Sequence, residues 1–557
     1  MMSPGKAPTL PNLEMPIQQL SSASEDDETT PSTSTAPHRL DLEKQVTASD
    51  HAPSQPLAHH TSSRITRTQS LIHRNTNHNR FTHPLSHVKT SPDSIVDFDG
   101  PDDPYRPINW PFRKKLITTL LYGLTTMGST WASSVYSPAV NQISEEYGVA
   151  EEVGILGVSF LLMGFGLGPL LWAPLSEVYG RKPAVLAPYF VAACFSFGTA
   201  TAKDIQTILI TRFFAGLFGS APVTNTGGVL GDIWSPQQRG TAIVGYAFAV
   251  VGGPTLGPIA GGAIVSSYLR WRWTEYTTAI MMATFLILDI LILDETYAPV
   301  LLVQKARRLR HETGNWSLHA RHEEWDVSLK EMANKFLKTP FRLLATPICF
   351  LVALYASFVY GILYLCLGAI PIQFAEERGW GPVTSQLPFL ALLSGTILGG
   401  GANIFNNKFY IRRFEANNNK PVPEARLPPM MIGSLFFTTS LFLFGWTSPR
   451  HITPVLPLLS LVFMGFGFFT IFQAALNYLI DTFARFAASA VAANTFLRSI
   501  FAAVFPLFVA PMFHKLGIQW ASSLLGFVSL CLVPIPYLFY IYGPKIRGRG
   551  RFTAQVM

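Results

Sequence analysis

An all-α membrane protein with twelve transmembrane helices is the fold class this sequence predicts, and three observations predict it. Only 14% of the 557 residues are charged and 48% are hydrophobic, against about 25% charged in an ordinary soluble chain. Twelve apolar windows, each long enough for the roughly 20 residues that span a bilayer, recur between residues 116 and 542. With the amino terminus inside, 25 Lys/Arg after residue 110 fall on cytoplasmic segments and 6 on external loops, the bias that sets membrane topology. An anchor of one or two helices cannot account for so much apolar sequence.

Residues 1–105 are rich in Ser, Thr, Pro and His and poor in large apolar residues, so they bury too little surface to offset chain entropy. They are read as a disordered cytoplasmic tail, with no stretch long enough for a signal-peptide core. Eight of the 13 histidines lie there, His59 and His60 included, but without ligand spacing, so no metal site is expected. Ser24 and Ser70 are weak matches to kinase sites.

The spans then follow in order. The first, 116–138, ends in Ser134-Val-Tyr136-Ser-Pro138, and the second and third, 153–174 and 184–202, flank a loop ending Ser-Glu177-Val-Tyr-Gly180-Arg181-Lys182-Pro183. The fourth, 206–230, holds Arg212 and is followed by Asp232. The fifth, 241–265, carries Gly253-Pro-Thr-Leu-Gly257-Pro258-Ile-Ala-Gly261-Gly262, and the sixth, 276–294, carries Asp289. A polar segment from about Pro299 to Thr346 divides these six from six more, at 346–371, 387–406, 428–447, 455–480, 487–511 and 518–542. The predicted domains are therefore the tail 1–105, a six-helix bundle 106–298, a cytoplasmic central loop 299–345, a second bundle 346–543 and a basic cytoplasmic tail 544–557.

Cys194, Cys349, Cys366 and Cys531 all sit in apolar runs without CxxC or Cys/His spacing and read as packing residues. The acceptor Asn315-Trp316-Ser317 falls in the central loop, where it stays unglycosylated. The basic runs at 307–310 and 545–551 flank membrane helices and suit anionic lipid at the inner leaflet rather than nucleic acid.

A carboxylate at a helix end, a glycine turn and paired cations can lock neighbouring helix ends together. The segment Gly168 to Pro183 resembles the signature loop of the major facilitator superfamily, with Glu177 where Asp is usual and Ala173 where Gly is usual. Its wording is similar to the fungal drug:proton antiporter branch with twelve helices. The likeness runs from Asn109 to Arg551 and includes Arg212-Phe-Phe-Ala-Gly216, the glycine-rich fifth helix, Asp294-Glu295-Thr-Tyr297 and Ala488 to Arg498. Val244 stands where that branch has a glycine.

The resemblance implies the major facilitator fold, two pseudo-symmetric six-helix bundles rocking about a midplane site. It implies proton coupling through Arg212, with Asp289 as one candidate acid, and a gate network of Glu177, Gly180, Arg181 and Asp232. It makes Gly253, Gly257, Pro258, Gly261 and Gly262 the antiporter motif. The residues alone ask less. Arg212, two turns into its helix, faces a partner or a cavity, or snorkels to the headgroups. Arg498, three turns deep in the eleventh helix, needs either a structural partner or a transport role. The glycines of the fifth helix require only close helix packing. For the substrate cavity, the family pattern points to Tyr136, Asn225, Tyr355, Tyr360, Tyr364, Gln473 and Asn477. Such aromatic walls with a few amides suit bulky amphipathic or cationic organic molecules.

The implied function is proton-coupled export of small organic compounds across a plasma or vacuolar membrane, by a monomer with both termini cytoplasmic and no cofactor. A polyamine exporter is the alternative within the family, and a non-transporting nutrient sensor the alternative outside it. A sugar porter is disfavoured by the wording Asp294-Glu295-Thr-Tyr297. No GxxxxGK[ST] loop is present for an ATP-driven pump, and no His/Asp or Glu/His pair at catalytic spacing supports an intramembrane enzyme.

Overall fold

Apolar length and helix-ending glycines and prolines set the architecture. In this computed structural model, residues 94–324, 338–418 and 420–549 are described. Most of the tail expected over 1–105, with Ser24, His59, His60 and Ser70, and the last eight residues lie outside them. The spans are α1 (Phe112–Ser134), α2 (Glu151–Leu167 with Pro169–Tyr179), α3 (Arg181–Ala200), α4 (Ile205–Ile233), α5 (Pro236–Val265) and α6 (Arg272–Ile292). The second set is α7 (Pro347–Pro371), α8 (Pro388–Ala416), α9 (Pro428–Trp446), α10 (Val455–Thr482), and α11 and α12 within Ala487–Arg549.

Nine helices among the described residues are long and apolar enough to cross a membrane, ten when the halves of α2, bent by 40° at Gly168, count together. The other two have physical explanations. A 62-residue run from Ala487 to Gly548 would be about 90 Å long as one helix, three times the hydrocarbon thickness. It breaks at Gly517, whose φ of 77° and ψ of 157° reverse the chain. Before the break Phe505 and Val509 meet Gly361 and Gly368 of α7 in parallel order. After it Ser523, Phe527 and Ser529 meet Trp446, Phe442 and Thr438 of α9 in reverse order. The remaining helix, α1, is less apolar because it turns a buried polar face inward: Thr125, Thr126, Ser129, Thr130, Ser133 and Ser134.

The two halves repeat one packing scheme with a shift of six helices. α1 packs on α5 as α7 does on α11, α2 on α4 as α8 on α10, and α3 on α6 as α9 on α12. Across the halves α2 meets α11 and α5 meets α8. Outward-facing Phe190, Ile287, Leu398, Phe405 and Phe527 stay exposed while the polar face of α1 is buried, the arrangement that a lipid surround favours. We call the end holding Phe112 and Arg547 the base, and the opposite end, with Trp271, the crown.

Two features depart from the sequence reading. The central segment expected as loop contains a helix, Ala298–Thr313, whose Leu302, Val303 and Leu309 pack with Ala306, Ala320 and Val96. Val96 belongs to the stretch read as disordered, yet residues 94–105 are folded: Val96 N donates to His319 O (2.9 Å) and His319 N donates to Ser94 O (3.0 Å). The apolar stripe of the central helix recruits that short segment, a long-range effect that local composition does not carry.

The His319 ring sits 2.8 Å from both the Ser317 carbonyl and Glu324 Oε1, and only an imidazolium donates from both nitrogens. The carbonyl, then Glu324, raise its pKa above the ordinary value while burial opposes them. A raised folded pKa gives stabilisation that is complete below the unfolded value of about 6.5 and is lost as pH rises through the folded one. Amide protection of Val96 and His319, corrected for intrinsic exchange, is therefore expected to fall between pH 6 and pH 8.5. His319→Gln is expected to abolish that dependence, and equal protection across the range in the native chain would refute it.

Candidate functional site: locks and cavities of the bundle interface

At the base, the loop between α2 and α3 is held by charge. Gly180, with φ of 100°, lets the chain reverse so that the first amides of α3 point at Glu295 from the end of α6. Glu295 accepts Arg181 N (2.8 Å), Lys182 N (3.1 Å), Thr296 N (2.9 Å) and Tyr297 N (2.9 Å), so a carboxylate occupies a positive helix terminus. The Arg181 side chain reaches back to Asp232 at the end of α4 (3.1 Å) and to Ser176 (2.8 Å), and lies over the Tyr297 ring. Glu177 lines the cavity beside this network. The second half repeats the device with other words: Arg426 pairs with Asp481 at the end of α10 (3.0 Å) and Glu424 grips Arg547 through two bonds (3.0 and 2.9 Å).

Toward the crown, Arg212 is buried to 1% exposure and does not reach the surface. Its three nitrogens reach three helices: Nη1 donates to Glu275 Oε1 on α6 (2.5 Å), Nε to Gly157 O on α2 (2.7 Å) and Nη2 to Ala132 O on α1 (3.0 Å). The guanidinium lies over the Tyr136 ring at 4.0 Å. Asp289, the acid offered from the sequence, lies fourteen residues further along α6, about 20 Å by helix rise, and accepts instead from Thr125 Oγ1 (2.5 Å).

Between these ends the halves enclose two cavities. One, of about 250 Å³, runs inward from the base and is lined by Glu177, Arg181, Asn225, Arg239, Gln473 and Arg498 among others. The other, of about 350 Å³, opens at the crown beside Pro138, Glu151, Gly262, Trp380, Gln386 and His514. Contacts across the halves separate them: Ser133 Oγ and Tyr364 Oη at 2.8 Å, Ser159 Oγ donating to Ala503 O at 2.6 Å, and Phe248 stacked on Phe469 at 5.0 Å.

The named cavity residues divide accordingly. Asn225 and Gln473 line the base cavity, Tyr360 lines a smaller hollow just beyond Arg498, and Tyr364 forms the midplane seal. Asn477 lines a narrow crevice with Asn403 and Asn407. Tyr136 belongs to the Arg212 cluster, its hydroxyl donating to Gly154 O (3.2 Å). Tyr355 is buried in the second half near Ser434 and outside both cavities. Sequence reasoning missed Glu275, Glu295 and the Arg426–Asp481 pair as site residues.

The glycines of α5 bring it against the α1 backbone. A Cβ at Gly253 would overlap Thr130 and come 2.5 Å from the Trp131 amide, one at Gly257 would overlap Ser134, and one at Gly261 would overlap the Val135 carbonyl. Gly262 faces Gln386 of the second half. Pro254 and Pro258 lie inside the helix, which continues through both.

Two pseudo-symmetric halves with matching charge pairs at the base and cavities between them define a polytopic transporter. The profile of the Major Facilitator Superfamily matches residues 122–506, and the chain belongs to that superfamily; it is a membrane transporter and not an enzyme. It is 55% identical over 460 residues to efflux pump bik6 of Gibberella fujikuroi, covering 82% of this chain and 95% of that one. It is 42% identical over 463 residues to the multidrug transporter FLU1 of Candida albicans, covering 82% and 76%. Among solved structures it is similar to the proton:xylose symporter XylE, with a TM-score of 0.56 at 16% identity over 78% of this chain and 96% of that one, a likeness of fold alone.

Proposed function

We propose that this transporter exports small organic compounds by proton-coupled antiport, its base facing the cytosol of a plasma membrane. The observation that carries the reading is the buried Arg212–Glu275 pair and what else Arg212 holds. A proton arriving on Glu275 from the crown neutralises the carboxylate. The guanidinium is then left without its counter-charge in a dry site, a cost of several kcal/mol. Relief requires moving α4 against α1 and α2, whose carbonyls at Ala132 and Gly157 it binds. Ala132 adjoins Ser133, which meets Tyr364 at the seal, so the protonation step bears on the contact that divides the cavities.

The rest of the cycle follows the same geometry. With the base open, substrate enters beside Arg498; with the base closed and the seal parted, it leaves at the crown. The relatives named as an efflux pump and a multidrug transporter support export, and the Lys/Arg bias supports the orientation. One chain completes the cavity and both locks, so a monomer suffices.

The test is uptake by inside-out vesicles holding the full chain, with an acid lumen and a panel of Nile red, rhodamine 6G and fluorescein. At least one probe is expected to accumulate severalfold, and nigericin to abolish it. Accumulation that survives collapse of the gradient would overturn proton coupling; no movement of any probe would favour a sensor.

A further inference from the structure

One continuous face of α11 lines the base cavity: Ala488, Val491, Ala492 and Thr495, ending at Arg498. Small side chains at helical spacing leave a corridor of about 15 Å that leads to a single guanidinium. Arg498 is 6% exposed, its Nε is buried without a hydrogen-bond partner, and no carboxylate among the described residues lies within ion-pairing distance of it. Its neighbours are aromatic faces, Tyr360 at 4.7 Å and Phe472 at 5.1 Å, which support a cation without neutralising it. Gln473, 1% exposed, lines the same cavity with both amide atoms unpartnered.

The charges along the cavity point the same way. Its lining carries Arg181, Arg239 and Arg498 against Glu177, and Arg181 is already held by Asp232. A cationic substrate would travel toward an uncompensated positive charge at the closed end, whereas an anion would meet it. Phe472, which lines the cavity, stacks on Phe468 with planes 5° apart and on Tyr360 at 25°, so its ring is held beside the guanidinium.

We infer that the base cavity binds planar organic anions, an aromatic or conjugated body bearing a carboxylate or phenolate, with Arg498 as the counter-ion. The acid group takes the guanidinium fork, in the bidentate geometry arginine offers a carboxylate, and the Gln473 side-chain amide donates to one of its oxygens. The ring system lies along Phe472 and the small side chains of α11. This deepens the export reading by naming its substrate class and rests on that reading for the direction of movement only. It keeps the amphipathic side of the expectation of bulky amphipathic or cationic cargo and departs from the cationic side, because that expectation counted the walls and not the charge at their end. By the same argument a polycation such as a polyamine suits this cavity least.

The test is equilibrium binding to the purified full chain, with 2-naphthoate, neutral 2-naphthamide and cationic 2-naphthylmethylammonium as probes of one shape and three charges. Native protein is expected to bind naphthoate at least tenfold more tightly than the amide, and the cation least. Arg498→Gln is expected to cost naphthoate tenfold or more while changing amide binding less than threefold, and Arg498→Lys to retain part of the preference. Gln473→Leu, which leaves the charge in place, is expected to weaken naphthoate severalfold and serves should Arg498 variants fail to fold. Tightest binding of the cation, no naphthoate binding, or naphthoate affinity indifferent to Arg498 would each overturn the assignment. Arg498-dependent binding without gradient-driven movement would instead retain the site and sink the export reading.

Discussion

Glu275→Gln is expected to abolish gradient-driven accumulation, by at least about tenfold, in protein that still inserts and still binds substrate within a factor of three. The amide keeps the shape of the carboxyl group and can accept from Arg212, so the cluster stays assembled, but it cannot take up a proton in the relevant range. Neither Arg212 nor Glu275 lines the base cavity, which is why binding survives. Arg212→Ala is expected to be worse and different in kind. It leaves Glu275 as an unpaired buried charge, a loss of about 3–5 kcal/mol for a broken buried pair, and removes the donors of the Ala132 and Gly157 carbonyls. Arg212→Lys keeps the charge but not a fork able to reach three acceptors on three helices. Replacing both members, as Arg212→Met with Glu275→Leu, is expected to recover folding without coupling, so the double variant is less unstable than the sum of its singles. The readout is probe uptake by inside-out vesicles under an imposed pH gradient, normalised to inserted protein. Wild-type accumulation by Glu275→Gln would refute the coupling role.

What the sequence made legible was whatever depends on local pattern. Span number follows from apolar length, close packing of some helix on α5 from glycines four residues apart, and the Arg181–Asp232 pairing from a loop whose wording is recognisable. Glu275 was missed because the sixth span was read as starting one residue later, at 276, which makes Glu275 one more charge in a Trp-Arg-Trp-rich helix end. The structure starts α6 at Arg272 and thereby places the acid inside the bundle. An acid within one turn of a predicted span, opposite an intramembrane arginine, was the available signal. Glu295 was missed for another reason: its partners are backbone amides of α3, which no side-chain pattern reveals. Arg426 was missed because the loop before α9 lacks the wording of its counterpart before α3, although the charge geometry repeats.

Rotation was the other limit. Each helical residue turns 100° from the last, so naming a tyrosine on α7 does not say which way it faces. Tyr360 and Tyr364, four residues apart, share the interface between halves, whereas Tyr355 turns into the second half. Arg498 was placed three turns into its helix, but its surroundings depended on α7 and α10 arriving with aromatic faces rather than a carboxylate. Depth is written in one helix, whereas the environment is written in three.

Gly253→Ala is expected to destabilise the protein by about 1–3 kcal/mol, the usual cost of overpacking, and to do so against the direction of helix propensity. Alanine favours an α-helix over glycine by about 1 kcal/mol, so on propensity alone every glycine of α5 should gain by the change. Gly245 lies in the same helix with nothing within 4 Å of its would-be Cβ, and Gly245→Ala is expected to hold or raise the melting temperature. At Gly253 the obstruction is the Trp131 amide and the Thr130 carbonyl carbon, backbone atoms that cannot rotate aside. Gly361 of α7, in the equivalent pairing with α11, meets only the Phe505 ring at 3.0 Å, which can shift, so Gly361→Ala is expected to cost less than Gly253→Ala. The two halves thus share a packing scheme but not its tightness. Replacing Gly253, Gly257 and Gly261 together removes the whole face on which α1 rests and is expected to prevent folding. Thermal unfolding of the purified single variants measures the order directly. Equal melting temperatures for Gly245→Ala and Gly253→Ala would mean that α1 and α5 are not packed backbone to backbone, and the placement of Ser133 at the midplane would fall with that contact.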